Sequence, residues 1–428
     1  MRLFYSFLLW LAWPWLWLDN RRRLRAQPVE TRRQGERFGV LADDMPQGGI
    51  WLHAVSLGET RAAFALLEQL AQHWPGLPLV VSTTTETGAQ AARGFTGAPI
   101  RHFYAPYDLP SAVARLLDTL RPHVLLVMET ELWPNLFAGA RARGVAVVVV
   151  NARLSDRSYR GYRRWAGSLA RAVLEDAALI LAQDTLDAQR FVALGADPAR
   201  VRVTGNLKFD MTPPAEAVEQ GRALRAHWPW PKVWVAASTH EGEEERVLDA
   251  QRALREAGLA VLLVLVPRHP QRFEAVARLL ESRGLPYARR SRGEAVSPDT
   301  SVCLADTVGE LMCFYASADV AFVGGSLVPV GGHNLLEPAA LGLPVVSGPH
   351  LHNFREIATR LREAQALIVV EEADALTAAL HALLQDADRR TRCGAAALAV
   401  VEANRGATAR VVAALASLPG MGINEKGQ

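Results

Sequence analysis

The chain has 428 residues, too long for one ordinary core, so two domains of about 200 residues are expected. Half of the residues are hydrophobic and 21% are charged, a globular balance, and a net charge of +3 gives no reason to expect nucleic acid as a partner. The three cysteines, Cys303, Cys313 and Cys393, have no CxxC spacing and an odd count, which supports neither a disulfide framework nor a structural zinc site and fits a reducing cytoplasm.

The first feature in chain order is an uncharged run, Leu3 to Leu18, holding Trp10, Trp13, Trp15 and Trp17, with Pro14 inside it and Arg21, Arg22, Arg23 and Arg25 directly after. As a helix it spans roughly 24 Å at about 1.5 Å per residue, short of the ~30 Å hydrocarbon core. Residues 1–20 are therefore expected to form an N-terminal membrane anchor, either short and tilted or lying in the interface. The basic end follows the apolar run and no small-residue cleavage site comes after it, which argues against a cleaved signal peptide. The positive-inside rule puts the arginine side, and the body of the protein, in the cytoplasm. Seven arginines stand against Glu30 and Glu36 between Arg21 and Arg37, either as a topology signal or as a contact for anionic lipid head groups.

Beyond residue 48, strand-like and helix-like segments alternate twice over. Ile50–Val55, Leu79–Ser82, His123–Met128, Val145–Val150, Leu179–Ala182 and Val201–Thr204 are short aliphatic or β-branched runs, and the pattern predicts a parallel, doubly wound sheet. The pattern lapses near Pro213, Pro214, Pro229 and Pro231, where residues 211–232 read as a linker between an N-terminal domain, 21–210, and a C-terminal one, 233–394. It restarts with Val233–Ala237, Val261–Val266, Ser301–Leu304, Val320–Val323, Pro344–Ser347 and Leu367–Val370. Residues 395–428 read as a helix and tail that could pack back across the hinge. Two such domains predict a cleft, with ligands at the carboxyl ends of the strands.

Polar residues gather at those strand ends. Ser56-Leu57-Gly58-Glu59 follows the first strand and opens a helix with the apolar stripe Ala63, Leu66, Leu67, Leu70 and Trp74. Glu59 at that helix start is expected to be held ionised by the dipole and ready to accept a proton, or else to close a capping box on Ser56. Glu129 and Glu131 end the His123–Met128 strand, where two desolvated carboxylates are costly unless used. Asn151-Ala152-Arg153-Leu154-Ser155-Asp156-Arg157 follows the next strand, able to orient a sugar or simply to form a solvated loop and cap. Lys208, in Gly205-Asn206-Leu207-Lys208-Phe209-Asp210, could offset phosphate or carboxylate charge. Arg268, beside His269 at a later strand end, suits bidentate binding of phosphate or carboxylate, or is a surface arginine next to a turn. His240 and His269 lack companions at metal-ligand spacing, so metal-free chemistry is favoured.

The run Val320 to His350 is the densest. Gly324 and Gly325 break a strand, Gly331 and Gly332 permit close backbone approach, and Asn334 can cap a helix carrying Glu337, three residues on and placed to bond ribose hydroxyls. It reads as a phosphate cradle, or as an ordinary glycine-rich turn with a capping glutamate.

Together the segments HAVSLGET (53–60), ETELWPN (129–135), NARLSDRS (151–158), GNLKFD (205–210), STHEGEE (238–244), PRHPQRF (267–273) and GGHNLLEP (331–338) resemble, in order and spacing, the 3-deoxy-D-manno-octulosonic acid (Kdo) transferases of lipopolysaccharide synthesis. The likeness runs over nearly the whole chain. It implies an α/β GT-B type fold, with two Rossmann-like domains facing a central cleft, and an enzyme of the inner membrane with its catalytic domains on the cytoplasmic side. It further implies CMP-Kdo as donor, the lipid A precursor lipid IVA as acceptor, and inverting, metal-independent transfer without a cofactor. By likeness, Glu59 is the general base, and Glu129 and Lys208 stabilise the transition state. Arg268, His269, Val308, Gly309, Glu310, Leu311, Gly332, Asn334, Leu335, Leu336 and Glu337 hold the donor in the C-terminal domain. Ser56, Gly58, Glu131, Asn151 and Arg153 stand as acceptor or sugar contacts by position. The competing readings are a GT-B transferase with a UDP-sugar donor and a membrane lipid acceptor, a sugar-nucleotide epimerase of the same fold, and a non-catalytic membrane scaffold.

Overall fold

In the computed structural model, which describes residues 1–26, 33 and 35–421, the chain forms two parallel sheets of seven strands each. Met1–Asp210 and Arg405–Gln428 make one unit, Met211–Asn404 the other. Of the expected Arg21–Arg37 cluster, residues 27–32 and 34, Glu30 and Arg32 among them, lie outside the described residues, as do the side chains of Arg23 and Arg25 and residues 422–428 of the expected tail.

The first sheet contains β1 (Ile50–His53), β2 (Leu79–Thr83), β3 (Ile100–Tyr104), β4 (Val124–Met128), β5 (Ala146–Ala152), β6 (Leu179–Ala182) and β7 (Val201–Val203), in the order β3-β2-β1-β4-β5-β6-β7. Alternation sorts its side chains between two cores: Ile50 and Leu52 join Leu66, Leu67 and Leu70, whereas Trp51 joins Phe103 and Phe137. Strand order reverses between β1 and β4, so their carboxyl ends flank the topological switch point of this sheet.

The second sheet contains β8 (Lys232–Thr239), β9 (Val261–Pro267), β10 (Tyr287–Arg289), β11 (Val302–Leu304), β12 (Val320–Val323), β13 (Val345–Ser347) and β14 (Leu367–Val369), in the order β10-β11-β9-β8-β12-β13-β14. Its switch point lies between β8 and β12. The stretch expected as a linker is mostly the helix Ala215–His227, where Gly221 sits against the Cys313 carbonyl of the second unit. The prolines punctuate that helix: Pro213 and Pro214 precede its start, and Pro229 and Pro231 follow its end.

The expected C-terminal helix from residue 395 is divided. Ala387–Asn404 belongs to the second unit, and the helix Ala407–Ala416 returns to the first, where Ala407, Val411 and Leu415 enter the core with Leu66 and Leu70. Asp210 accepts the Gly406 N–H at 2.6 Å, and Trp74 Nε1 donates to the Met421 carbonyl at 3.0 Å.

The N-terminal run forms the helix Arg2–Ala26 straight through Pro14. Among the described residues no helix is long and apolar enough to cross a membrane. Tyr5, Leu9, Ala12, Leu16 and Asn20 are at least partly buried, at helical spacing, while Leu3 (84% exposed), Phe4, Phe7, Trp10 (68%), Trp13 and Trp15 (65%) are exposed. Ser6 Oγ donates to Asn135 Oδ1 at 2.9 Å, and Tyr5 hydrogen-bonds Asp108, whose carboxylate also accepts from Asn135 N and Leu136 N.

Candidate active site

At the switch point of the first sheet, β1 runs into Val55 and Ser56, and Ser56 caps the helix Leu57–Ala62 by accepting from Glu59 N. Glu59 returns the contact: its carboxylate accepts from Ser56 Oγ at 2.8 Å and from Val55 N at 2.9 Å. The capping box and the candidate base are thus one residue. Burial, and after it the charge of Glu129, push the Glu59 carboxyl up to about 7, against the lowering effect of its hydrogen bonds. The expectation that a helix dipole keeps it ionised is therefore corrected, because a six-residue helix with a buried start is outweighed by desolvation and a neighbouring carboxylate. A carboxyl near neutrality is well matched to taking a proton from a hydroxyl.

Across the switch point, β4 ends in Glu129 with φ 53°, a left-handed conformation rare for glutamate. Its Oε1 lies 3.2 Å from Lys208 Nζ. Asn151, at the end of β5 with φ 55°, and Ser238, near the end of β8 with φ 55°, repeat this strain at two more carboxyl ends. Asn151 has no exposed surface; its Oδ1 accepts Leu207 N at 3.0 Å while Asn206 Oδ1 accepts Lys208 N at 3.0 Å. Asn151 therefore braces the turn carrying Lys208. Its Nδ2 is buried with no partner.

Glu131 is pushed up by burial and held at Oε2 by Trp133 Nε1 at 2.9 Å. Trp133 meets the edge of His53 at 4.5 Å between centroids, and His53, fully buried, is pushed down to about 3 by desolvation. Arg153 is half-buried beside this loop, and its carbonyl accepts from Thr130 Oγ1 at 2.6 Å. Gly58 stands at the start of the Glu59 helix, where a Cβ would come within 3.8 Å of Ser56 Oγ.

At the switch point of the second sheet the glycine turn is already filled. Glu243, with no exposure, accepts from Gly325 N (2.7 Å), Ser326 N (3.0 Å), Leu327 N (2.9 Å) and His240 N (3.0 Å), while Gly331 N and Gly332 N donate to the Gly325 carbonyl. The expected phosphate cradle is corrected accordingly: this turn is satisfied by an internal carboxylate. Beyond it, Asn334 Oδ1 accepts from Leu336 N and its Nδ2 donates to Glu337 Oε1 at 3.2 Å. Leu335 and Leu336 are fully buried. Arg268 follows β9, its N–H bonded to the Thr239 carbonyl, and His269 beside it is exposed. Glu310 pairs with Arg290 at 2.7 Å, holding the Thr307–Leu311 turn on which Gly309 has φ 93° and Val308 is 78% exposed.

The structure gathers Glu59, Glu129, Glu131 and Lys208 at one switch point, and brings Asn334 and Glu337 together in the other unit. Three side chains outside the expected set stand with the latter: Glu243, His240 and His333. All lie inside STHEGEE and GGHN, so their signal was position within those segments.

The fold can be compared with that of solved proteins. The uridine diphosphate N-acetylglucosamine 2-epimerase of Neisseria meningitidis bound to its sugar nucleotide superposes with a TM-score of 0.58 over 86% of this chain and 99% of that one, at 15% identity, a likeness of fold alone. Residues 32–211 match the family model of 3-deoxy-D-manno-octulosonic acid transferase (kdotransferase), and residues 234–400 that of glycosyl transferases group 1. A 3-deoxy-D-manno-octulosonic acid transferase of Haemophilus influenzae is 40% identical over 96% of this chain and 97% of its own, and one of Bordetella pertussis is 40% identical over 95% of each. The chain belongs to the Kdo transferase family. This transferase is thus a glycosyltransferase of two Rossmann-like units, and the strained strand ends lie where such an enzyme needs its polar groups.

Proposed function

We propose that this transferase moves Kdo from CMP-Kdo to the lipid A precursor lipid IVA in lipopolysaccharide inner-core synthesis, with inversion and without a metal. The observation that carries the catalytic part is Glu59, a buried carboxyl near neutrality beside the Glu129–Lys208 pair. Glu59 takes the acceptor hydroxyl proton as the oxygen bonds the Kdo anomeric carbon, and the bond to the CMP phosphate breaks on the opposite face. Positive charge grows on the sugar carbon while negative charge grows on the leaving phosphate. Glu129 meets the first, and Lys208 and Arg268 the second. Asn334, Glu337, His269 and the Val308–Leu311 turn hold CMP, and Glu131 and Arg153 orient sugar hydroxyls.

The acceptor is a lipid, and the helix Arg2–Ala26 supports a place at the inner membrane on its cytoplasmic side. One stripe of the helix is pinned by Ser6, Tyr5 and Leu16, while the Leu3, Trp10 and Trp15 side is exposed, as suits a helix lying in the interface. The Arg21 guanidinium covers the Trp17 ring at 3.9 Å, a pairing suited to the head-group level.

The test is to incubate full-length protein with CMP-Kdo generated in place and a tetra-acylated lipid A precursor, with and without EDTA, and to weigh the lipids. Mass increments of whole Kdo units that survive EDTA are expected. No increment where a known Kdo transferase works would overturn the donor and acceptor assignment.

A further inference from the structure

His240, in the loop after β8, and His333, in the loop after β12, place their Nε2 atoms 2.8 Å apart. Their ring planes differ by 7° while the centroids are 5.1 Å apart. The nitrogens are far closer than the centroids, so the rings meet edge to edge in nearly one plane, with the contact directed along a ring lone pair. A zinc ion would hold each nitrogen about 2.0–2.1 Å away, which two facing nitrogens this close do not allow. The space between them holds a proton.

That geometry fixes the proton count. One ring donates Nε2–H and the other accepts at Nε2, so the accepting ring carries its own proton on Nδ1, and the donating ring's Nδ1 is bare. A third proton has one place to go, that bare Nδ1. A fourth would set two N–H groups against each other. The pair therefore stores one proton and no more.

The surroundings decide when it is stored. Glu243 faces His240 from its own loop, and Arg268, His269 and Arg272 face the pair from the segment after β9, with the His269 ring 5.3 Å from that of His240. Burial, then Arg268 and the neighbouring histidines, push His333 down to about 4; burial first, against Glu243, pushes His240 down as well. With the site open the pair is neutral. A phosphate beside Arg268 would cancel that guanidinium's field and remove the main electrostatic objection to the third proton.

We propose that His240 and His333 act as one proton-carrying pair in the donor site: an arriving nucleotide phosphate draws one proton from solvent onto the pair, and departure of the nucleotide returns it. The proposal rests on the assignment of CMP-Kdo to the second unit. It gives the leaving phosphate a cationic N–H partner that exists only while the anion is present, complementing the fixed charge of Arg268.

The test is calorimetric titration of CMP into the full-length protein at about pH 7, in two buffers of different ionisation enthalpy. Uptake of about one proton per CMP is expected, with wild-type affinity falling up to about tenfold per pH unit on the alkaline side. His240→Gln and His333→Gln should bind CMP about tenfold or more weakly, without uptake and with a flat pH dependence. CMP binding without uptake, or uptake that persists in both variants, would overturn the pair while leaving the donor site standing. No CMP binding by the wild type would instead sink the donor-site assignment, and the pair with it. Should either variant fail to fold, imidazole nitrogen chemical shifts of the wild type on adding CMP read the same proton, and unchanged shifts would overturn the proposal.

Discussion

Lys208 Nζ lies 3.2 Å from Glu129 Oε1, joining the turn after β7 to the strained end of β4 beside the candidate base. Lys208 masks a charge that raises the Glu59 carboxyl. Lys208→Met should therefore push Glu59 higher and move the acid limb of the kcat/KM profile to higher pH, whereas Glu129→Gln should move it lower. Each should reduce kcat about 10²–10³-fold, and the double variant should fall short of the product of the two. Profiles of kcat/KM against pH for the three variants check this.

Glu59→Gln should lower kcat about 10²–10⁴-fold, the range of a lost general base. Its effect on stability has the opposite sign. Because the folded carboxyl is raised to about 7 from an ordinary 4.5, the native state binds the extra proton between those values, and stability falls as pH rises through that window. Removing the carboxylate removes that cost. The variant should gain about 1–3 kcal/mol relative to wild type on the alkaline side and nothing near pH 4, as urea melts at the two ends would show.

Glu243→Gln replaces a carboxylate that serves four main-chain donors with an amide that has one acceptor oxygen and sets N–H groups against N–H groups. A loss of about 2–4 kcal/mol is expected, together with weaker CMP binding because His333 shares the same turn. Glu243→Asp, which keeps the charge on a shorter arm, should recover part of both. Equal thermal stability of wild type and Glu243→Gln would refute the argument.

Replacing Trp10 and Trp15 by Ser removes two exposed rings from the outer stripe of the Arg2–Ala26 helix and leaves the Tyr5, Ser6 and Leu16 contacts in place. Co-sedimentation with anionic vesicles should fall about tenfold or more, and activity on vesicle-borne acceptor should fall further than on detergent-dispersed acceptor. Equal loss on both would exclude a membrane role for that stripe.

Among the described residues twelve of the fourteen strands were visible as short apolar runs, ten of them interior strands, which a parallel sheet buries on both faces, and the other two the edge strands β7 and β14. The two that escaped, β3 with Arg101 and His102 and β10 with Tyr287 and Arg289, are edge strands whose polar residues interrupt the apolar run, His102 and Arg289 being buried on internal partners, Thr83 and Asp306. The carboxylates of the first site were legible because polar residues closing an apolar strand are conspicuous. Glu243 and the histidine pair were not, since their meaning depends on which two loops a strand order of β8 next to β12 brings together. The glycine turn after β12 invited a phosphate for the same reason: in one dimension a turn filled by Glu243 and an empty one look alike.

The return of Ala407, Val411 and Leu415 to the core of the first unit sets an order of assembly on the ribosome. The first half to be synthesised is the last to be finished. Met211–Asn404 can collapse onto its own sheet as soon as it emerges, while Leu66 and Leu70 wait with one side bare until the closing helix is made. A nascent chain interrupted near Asn404 therefore carries a complete second unit and an adhesive, uncapped first one, the kind of intermediate that chaperones and proteases act on.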